Sequence, residues 1–377
     1  MRTEIAERLG CDVPIFAFSH CRDVVVEVTR AGGFGVLGAA TFSPKQLEAE
    51  LCWIDAHTEG RPYGVDVIIP TKYDTKAEAE TGKRDLHELI PTEQSAFMER
   101  ILDEAGVPEL PEGDRRRIHE DIMSGRGAMT PDGARRLVET ALKHDQVRLV
   151  VSALGAPPPD IVKLLRERGV ILGALCGKPV HAERQAAAGV ELLIAQGTEA
   201  GGHTGEISTL VLVPQVIDAT GGKIPVLAAG GIARGSQVAA AMALGAQGVW
   251  CGTIWLGTQE SELDSFEKDA IFNARTEDAV RRRARTGKPV RMLKSKLSEA
   301  WEAPDAPDYL LPPLQGILYN EAHARVVRAR RTDLYSFPAG QVIGNMTSEN
   351  TVRDVMYRMQ VEYLESIERL MGLMPEQ

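Results

Sequence analysis

The chain has 377 residues, 44% hydrophobic and 25% charged, enough to bury a large core as one barrel with additions or as two domains. Its formal net charge of −10 speaks against general nucleic-acid affinity. The charged start from Met1 to Arg8 and the lack of any apolar run of about 18 residues predict a soluble, cytoplasmic protein without membrane contact.

Eight strand candidates lie near residues 13–17, 34–38, 63–69, 147–152, 170–175, 190–195, 225–229 and 247–251, most of them trailed by helical periodicity. Short β-rich runs alternating with amphipathic stretches make parallel strands with helical crossovers, and eight of them predict a closed (β/α)8 TIM barrel, an α/β fold. Gly33-Phe34-Gly35-Val36-Leu37-Gly38 matches the dinucleotide pattern G-x-G-x-x-G. That fingerprint needs a strand before it and a helix opening within it. Here Cys21 to Arg30 reads as a helix, Gly32-Gly33 as its stop and Phe34 to Gly38 as the next strand, so no Rossmann site is expected. Pro157 to Asp160 opens another helix, with Ile161, Leu164 and Leu165 on one face and Gly169 at its end.

Two regions exceed the minimal barrel. Residues 70–146, after the third strand, are rich in charge and carry helical patterns near 93–104 and 130–144. Insertions at the carboxyl ends of barrel strands sit over the active site, which makes this one a candidate cap. The tail from 258 is expected to hold a basic helix over Arg281-Arg282-Arg283-Ala284-Arg285, a proline-rich loop over 303–313 and a closing helix near 348–371. The resulting division is a barrel of 1–257 with 325–377, and an extension or lid of 258–324. The arginine cluster is either a solvated helix face or a clamp for the phosphates of coenzyme A, an acyl-carrier phosphopantetheine or NADPH, and Arg115-Arg116-Arg117 carries the same ambiguity. Met356, Met359, Met371 and Met374 read as core packing. The five cysteines, at 11, 21, 52, 176 and 251, have no C-x-x-C or zinc spacing. They read as small buried hydrophobes, and no metal site is expected.

The richest stretch is Ala195-Gln196-Gly197-Thr198-Glu199-Ala200-Gly201-Gly202-His203-Thr204-Gly205, directly after the apolar run Val190 to Ile194. A strand ending in a glycine-rich loop with one titratable side chain is how an α/β enzyme presents a catalytic group, and an imidazole titrates where it can take a carbon-bound proton. The alternative is a structural histidine in a turn. A second strand end, Ile224 to Ala229, runs into Gly230-Gly231-Ile232-Ala233, and a third, Gly248 to Cys251, into Gly252-Thr253. Successive strand ends with bare amides form a phosphate cradle, placed after strands seven and eight in a β/α barrel.

Taken together, AQGTEAGGHTG, PVLAAGGI and ALGAQGVWCGT resemble the FMN-dependent nitronate monooxygenase (2-nitropropane dioxygenase-like) family, whose superfamily includes flavin-dependent enoyl-acyl-carrier-protein reductases and some NADH:quinone reductases. The likeness extends weakly to Cys11 to Ile15, Ala31 to Gly35 and Ala339 to Gly344. It implies FMN held without a covalent bond at the carboxyl ends of the strands, with Gly230, Gly231, Gly252 and Thr253 on the phosphate and Ala17, Phe18, Asp66, Gln196, Gly201 and Gly202 around the rest. His203 would remove the α-proton of a nitroalkane, or engage a nitronate, with dioxygen as oxidant. The alternative reading is an NAD(P)H-dependent flavin reductase of enoyl-CoA or enoyl-acyl-carrier thioesters or quinones, and a third is a flavin-binding module without catalysis. A homodimer is compatible with either enzyme.

Two departures from the family pattern stand out. Asp66 occupies the place where that strand normally presents an asparagine to the flavin, and a carboxylate there would disfavour the reduced anion. Buried in a strand, it needs a polar ligand edge or a lysine or arginine partner. Phe16-Ala17-Phe18-Ser19-His20-Cys21 replaces a glycine- and methionine-containing flavin-contact segment, leaving a backbone role open. His20 is a second acid-base candidate or a neighbour of a helix N-cap, Ser152 faces either the pocket or the next helix, and Gln196 either donates to a flavin carbonyl or caps backbone.

Overall fold

Eight strands pair in chain order and close into one parallel barrel: β1 (Ile15–Ser19), β2 (Phe34–Gly38), β3 (Tyr63–Val67), β4 (Val147–Ser152), β5 (Ile171–Cys176), β6 (Leu192–Gln196), β7 (Val226–Ala229) and β8 (Gly248–Cys251). Closure comes from β8 pairing with β1, Phe16 opposite Trp250 and Ala17 opposite Cys251. This computed structural model describes residues 1–69 and 86–374; positions 70–85 of the expected insertion and the last three residues lie outside them.

Strand alternation decides what fills the lumen. Phe16, Phe34, Val36, Leu149, Val151, Leu192, Ile194, Leu227 and Trp250 form one cluster inside the barrel, sealed at the amino end by Ile5 and Leu9 of α1 (Glu4–Leu9). Their neighbours Ile15, Ala17, Val65, Val150, Ala195, Ala228 and Val249 point outward into the layer shared with the helices. Around the strands run α2 (Arg22–Arg30), α3 (Pro44–His57), α4 (Thr92–Glu104), α5 (Glu112–Ala128), α6 (Pro131–Ala141), α7 (Pro159–Glu167), α8 (Pro179–Ala187), α9 (Thr209–Ala219) and α10 (Gly235–Ala243). Gly32, at φ +87°, turns the chain from α2 into β2, so the G-x-G-x-x-G run is a strand and not a helix start.

No crossover helix follows β8 directly. Its place between α10 and α2 is taken by the closing helix, α14 (Val352–Met371). The approach to α10 depends on Gly235, where an added Cβ would lie 2.0 Å from the Met359 carbonyl oxygen, and whose N–H donates to Glu362 Oε2 at 2.8 Å. Met356 and Met359 are buried as expected, but Met371 and Met374 are exposed because the helix has by then run past the barrel. Cys52 is likewise exposed, on the outer face of α3.

Between β8 and α14 the chain forms α11 (Ser265–Phe272), β9 (Ala279–Arg282), β10 (Val290–Leu293), α12 (Lys296–Ala300) and α13 (Leu314–Arg328). The expected basic helix over 281–285 is instead the end of β9 and the start of its turn. The arginines have high helix propensity, but Gly287 at φ +76° and Pro289 reverse the chain, and β10 supplies the antiparallel partner, Arg281 opposite Arg291. Burial of Ala279, Ala284, Val290 and Met292 fixes the hairpin face.

That face belongs to a second core, which joins Phe97, Met98 and Leu102 of α4 to Phe266, Met292, Trp301, Tyr319, Tyr335 and Ile343. Arg325, 1% exposed, ties the two regions by donating to the carbonyls of Val107 at 2.9 Å and Pro108 at 3.1 Å and pairing with Glu99 at 2.6 Å. The stretch from Phe97 to Pro108 of the insertion is therefore packed with the extension, while Ala134, Leu137, Val138 and Ala141 of α6 pack in the barrel's own helix layer. The expected 324/325 boundary falls inside α13, and the second core continues through Met346.

Candidate active site

The loop after β6 is built around a carboxylate. Glu199 accepts from the Thr209 N–H at 2.9 Å and from its hydroxyl at 2.9 Å, occupying the N-terminus of α9 from within the chain. The Thr209 hydroxyl also lies 2.9 Å from the Gly230 carbonyl, joining the β6 and β7 loops. The N-terminus of α9 is thus already occupied. In the Gly230-Gly231 turn both residues are left-handed, at φ +99° and +72°. Among the described residues neither N–H has an acceptor. A Cβ at Gly231 would meet Glu199 at 3.1 Å, and one at Gly230 the Gly197 carbonyl at 3.0 Å. Gln237 of α10 holds the outgoing chain, its Oε1 accepting from Ala233 and Arg234 and its amide donating to the Gly231 carbonyl.

The β8 loop stands beside this turn. Gly252 lies next to Phe18, with 3.9 Å from its would-be Cβ to the Phe18 ring and nothing nearer. The Thr253 hydroxyl accepts from the Gly340 N–H at 2.8 Å. Gly201 packs on the same segment, where a Cβ would meet Ala339 at 2.8 Å, so this glycine serves close approach between two stretches of the chain. Phe18 is half-buried at the lumen mouth, stacked on Trp250 at 6.0 Å. Ala17 points outward into the helix layer, leaving only its backbone toward the lumen.

Asp66 faces inward. Gly64, two residues before it, would place a Cβ against Phe34 and Leu149 of the lumen, and alternation puts Asp66 on the same side. The carboxyl is 3% exposed, and no hydrogen-bond or ionic partner meets it among the described residues. Burial alone pushes its pKa well above the ordinary carboxylate value. Among the described residues the expected lysine or arginine partner is absent. Gln196 ends β6 on the lumen side of the pattern, partly exposed. Ser152 falls on the Val150 face, toward the helices, and its buried hydroxyl has no partner among the described residues. His20 is exposed just before the Cys21 N-cap, its Nδ1 2.8 Å from the Gly38 carbonyl oxygen.

His203 is held by the hairpin. Gly202, at φ +79°, pairs with Arg291, and the His203 Nδ1–H donates to the Pro289 carbonyl at 3.0 Å. That bond fixes the tautomer and leaves Nε2 with its lone pair. Although His203 is exposed on its loop, partial desolvation of the ring lowers its pKa below the ordinary value of 6.5, with Lys288 and Arg285 adding to the effect and the Pro289 bond opposing it. Arg281 reaches the Thr204 carbonyl at 3.4 Å, and the buried Arg291 donates to the Thr198 carbonyl at 2.8 Å. Among the described residues Arg281, Arg283, Arg285 and Lys288 have no carboxylate in ion-pair contact, unlike Arg115, Arg116 and Arg117, which pair with Glu321, Glu112 and Asp114. The result is an imidazole with a lowered pKa beside a cluster of cations, on a protein of net charge −10. Sequence reading pointed to His203 and to the arginines separately. Their meeting, and the parts of Glu199, Thr209 and Pro289, come from the folded chain alone.

A family model described as nitronate monooxygenase matches residues 19–362. A Mycobacterium tuberculosis protein whose name gives it as a monooxygenase, Rv1533, is 47% identical over 99% of both chains, and a Staphylococcus aureus protein named a probable nitronate monooxygenase is 28% identical over 92% of this chain and 97% of its own. Among solved structures, a nitroalkane oxidase from Streptomyces ansochromogenes superposes with a TM-score of 0.77 at 27% identity, covering 98% of this chain and all of its own. FabK from Thermotoga maritima shares the fold, with a TM-score of 0.73 at 24% identity over 99% of this chain and all of its own.

Proposed function

The chain belongs to the nitronate monooxygenase family and is a flavin-dependent oxidoreductase, and from that premise we propose that it binds FMN and oxidises alkyl nitronates or nitroalkanes with dioxygen, His203 acting as base. The observation that carries this reading is the His203 arrangement: an Nδ1–H committed to the Pro289 carbonyl, which leaves Nε2 as the acceptor, beside Lys288, Arg285 and Arg281, which have no carboxylate partner among the described residues.

The residues present fit a flavin mononucleotide. The Gly230-Gly231 turn offers two unpaired N–H groups and no side chain, a donor set suited to one terminal phosphate, with Gly252 and Thr253 alongside. The Asp66 carboxyl, without a partner among the described residues, the Gln196 amide and the Phe18 ring would supply polar and flat contacts at the lumen mouth, with the backbone of Ala17, Gly201 and Gly202 around them. A bound flavin supplies electron transfer from the substrate carbon to dioxygen. Nε2 of His203 takes the proton from the carbon next to the nitro group. The carbanion so formed is a nitronate, its charge on the nitro oxygens, and the neighbouring cations favour that anion over its neutral acid. A substrate that arrives as nitronate needs only the second of these roles. The extension, packed with Phe97 to Pro108 of the insertion, delivers the hairpin to this site and would cap it and restrict water.

Anaerobic mixing of the flavin-loaded protein with nitronate, NADH or NADPH tests the reading. Bleaching by nitronate and by neither nucleotide is the expected result. Bleaching by a nucleotide alone would select the reductase, with the arginines on the nucleotide phosphate. Heat release and chromatography should recover FMN, and recovery of FAD would overturn that part.

A further inference from the structure

Away from the barrel mouth, on the outer side of α3, three donor atoms of different chemistry converge. Glu48 and Cys52 lie four residues apart on one face of the helix, and His144 follows the end of α6. Their ligand atoms all fall within 4.8 Å of one another. Cys52 and half-buried Glu48 line a groove with Thr140 and Lys143, so the cluster is open to solvent on that side.

The decisive member is His144, whose side chain is only 6% exposed. Its Nδ1 lies 2.6 Å from Asp55 Oδ2, and Asp55 Oδ1 accepts from the Tyr63 hydroxyl at 2.8 Å, so the carboxylate is fixed at both oxygens. With the Nδ1 proton donated to Asp55, Nε2 carries the lone pair. That atom is buried and has no hydrogen-bond partner among the described residues, and Glu48 Oε1, at 3.7 Å, is too far to serve as one. Buried polar atoms are almost always partnered, so an orphan lone pair aimed at a carboxylate and a thiol calls for a ligand.

We propose that Glu48, Cys52 and His144 bind a zinc-type divalent cation, with water in the fourth position and Asp55 as the carboxylate that orients the imidazole. A carboxylate, a thiolate and an imidazole make a set that suits zinc and not the hard cations magnesium or calcium. The carboxylate–histidine–metal relay is the arrangement that fixes the ligating nitrogen. Binding releases the Cys52 thiol proton, and Lys143 Nζ, 3.4 Å from Glu48 Oε2, exchanges that partner for solvent or keeps the second oxygen. The bound ion would clip α3 to the α6–β4 connection on the outside of the barrel. Because one ligand comes from a distant part of the chain, no cysteine–histidine spacing announces the site in the sequence.

The experiment is equilibrium dialysis of the flavin-loaded chain against buffered zinc, with the metal counted by mass spectrometry and its coordination read by zinc X-ray absorption. One zinc per chain is expected, with a single sulfur near about 2.3 Å and lighter atoms completing the shell. Cys52→Ser, at an exposed position outside the flavin site, should keep the flavin spectrum and turnover while losing the zinc, and Glu48→Gln should weaken binding. Asp55→Asn should weaken it by about 10- to 100-fold. Zinc content equal in the chain and in Cys52→Ser, no zinc in either, or a shell without sulfur would each overturn the proposal.

Discussion

Gly202 and Arg291 exchange two backbone hydrogen bonds, 3.0 Å from the Gly202 N–H and 2.8 Å from the Arg291 N–H, so the His203 loop is edged onto the β9–β10 hairpin. His203 is therefore positioned by a segment far along the chain. His203→Asn leaves this backbone pairing intact and should keep the flavin spectrum. General-base proton abstraction contributes about 10²- to 10⁴-fold, and turnover of a neutral nitroalkane should fall by that order. A preformed nitronate should suffer less. Steady-state kinetics on the paired acid and anion decide the point, and equal losses would assign His203 a structural role.

The environment of His203 sets a pH dependence. Because partial desolvation, Lys288 and Arg285 lower its pKa, the imidazole stays neutral and able to accept a proton at pH values where a free histidine is already half charged. The acid limb of kcat/KM for a neutral nitroalkane should accordingly have its midpoint below 6.5, the ordinary imidazole value. Lys288→Met removes a nearby cation and should move that midpoint upward. A limb that stays put in Lys288→Met would show that another group governs it.

Gly231 combines a left-handed backbone at φ +72° with an unpaired N–H at the proposed phosphate position. Valine there would strain the backbone by about 1–3 kcal/mol and push a branched Cβ toward Glu199 and any bound anion. Gly231→Val should fold with a lowered Tm and lose most of its flavin. Retention of FMN with an unchanged Kd would place the phosphate elsewhere.

The barrel is legible in the sequence because most strands are short β-rich runs followed closely by glycine or proline, and the observed strands fall within two residues of those runs. The glycine turns after β6, β7 and β8 are legible for the same reason. The hairpin is not: Arg281 to Arg285 has the composition of an exposed helix, and only packing of Ala284 and Met292 into the second core selects a strand. Asp66 was readable as a lumenal acid, yet the absence of a partner among the described residues, and the upward pKa shift that burial gives it, follow from three-dimensional surroundings that strand alternation does not specify.

That upward shift yields a prediction of its own. Asp66 keeps its proton in the folded chain over a pH range where the unfolded chain releases it, since burial raises the folded pKa well above the ordinary value of 3.8. Stability is therefore fully present below 3.8 and is lost as pH rises toward the folded pKa. Asn, of nearly the same shape, cannot ionise and escapes this loss. Asp66→Asn should unfold at higher denaturant than the parent chain near neutral pH, the difference shrinking toward pH 4, as read from chemical denaturation at a series of pH values. Its amide should also preserve a neutral hydrogen-bonding edge toward the flavin, leaving FMN affinity little changed, whereas Asp66→Leu should weaken it. If Asp66→Asn instead proved less stable at neutral pH, the carboxyl would have to be ionised and paired, and the reading of a neutral lumenal acid would fail.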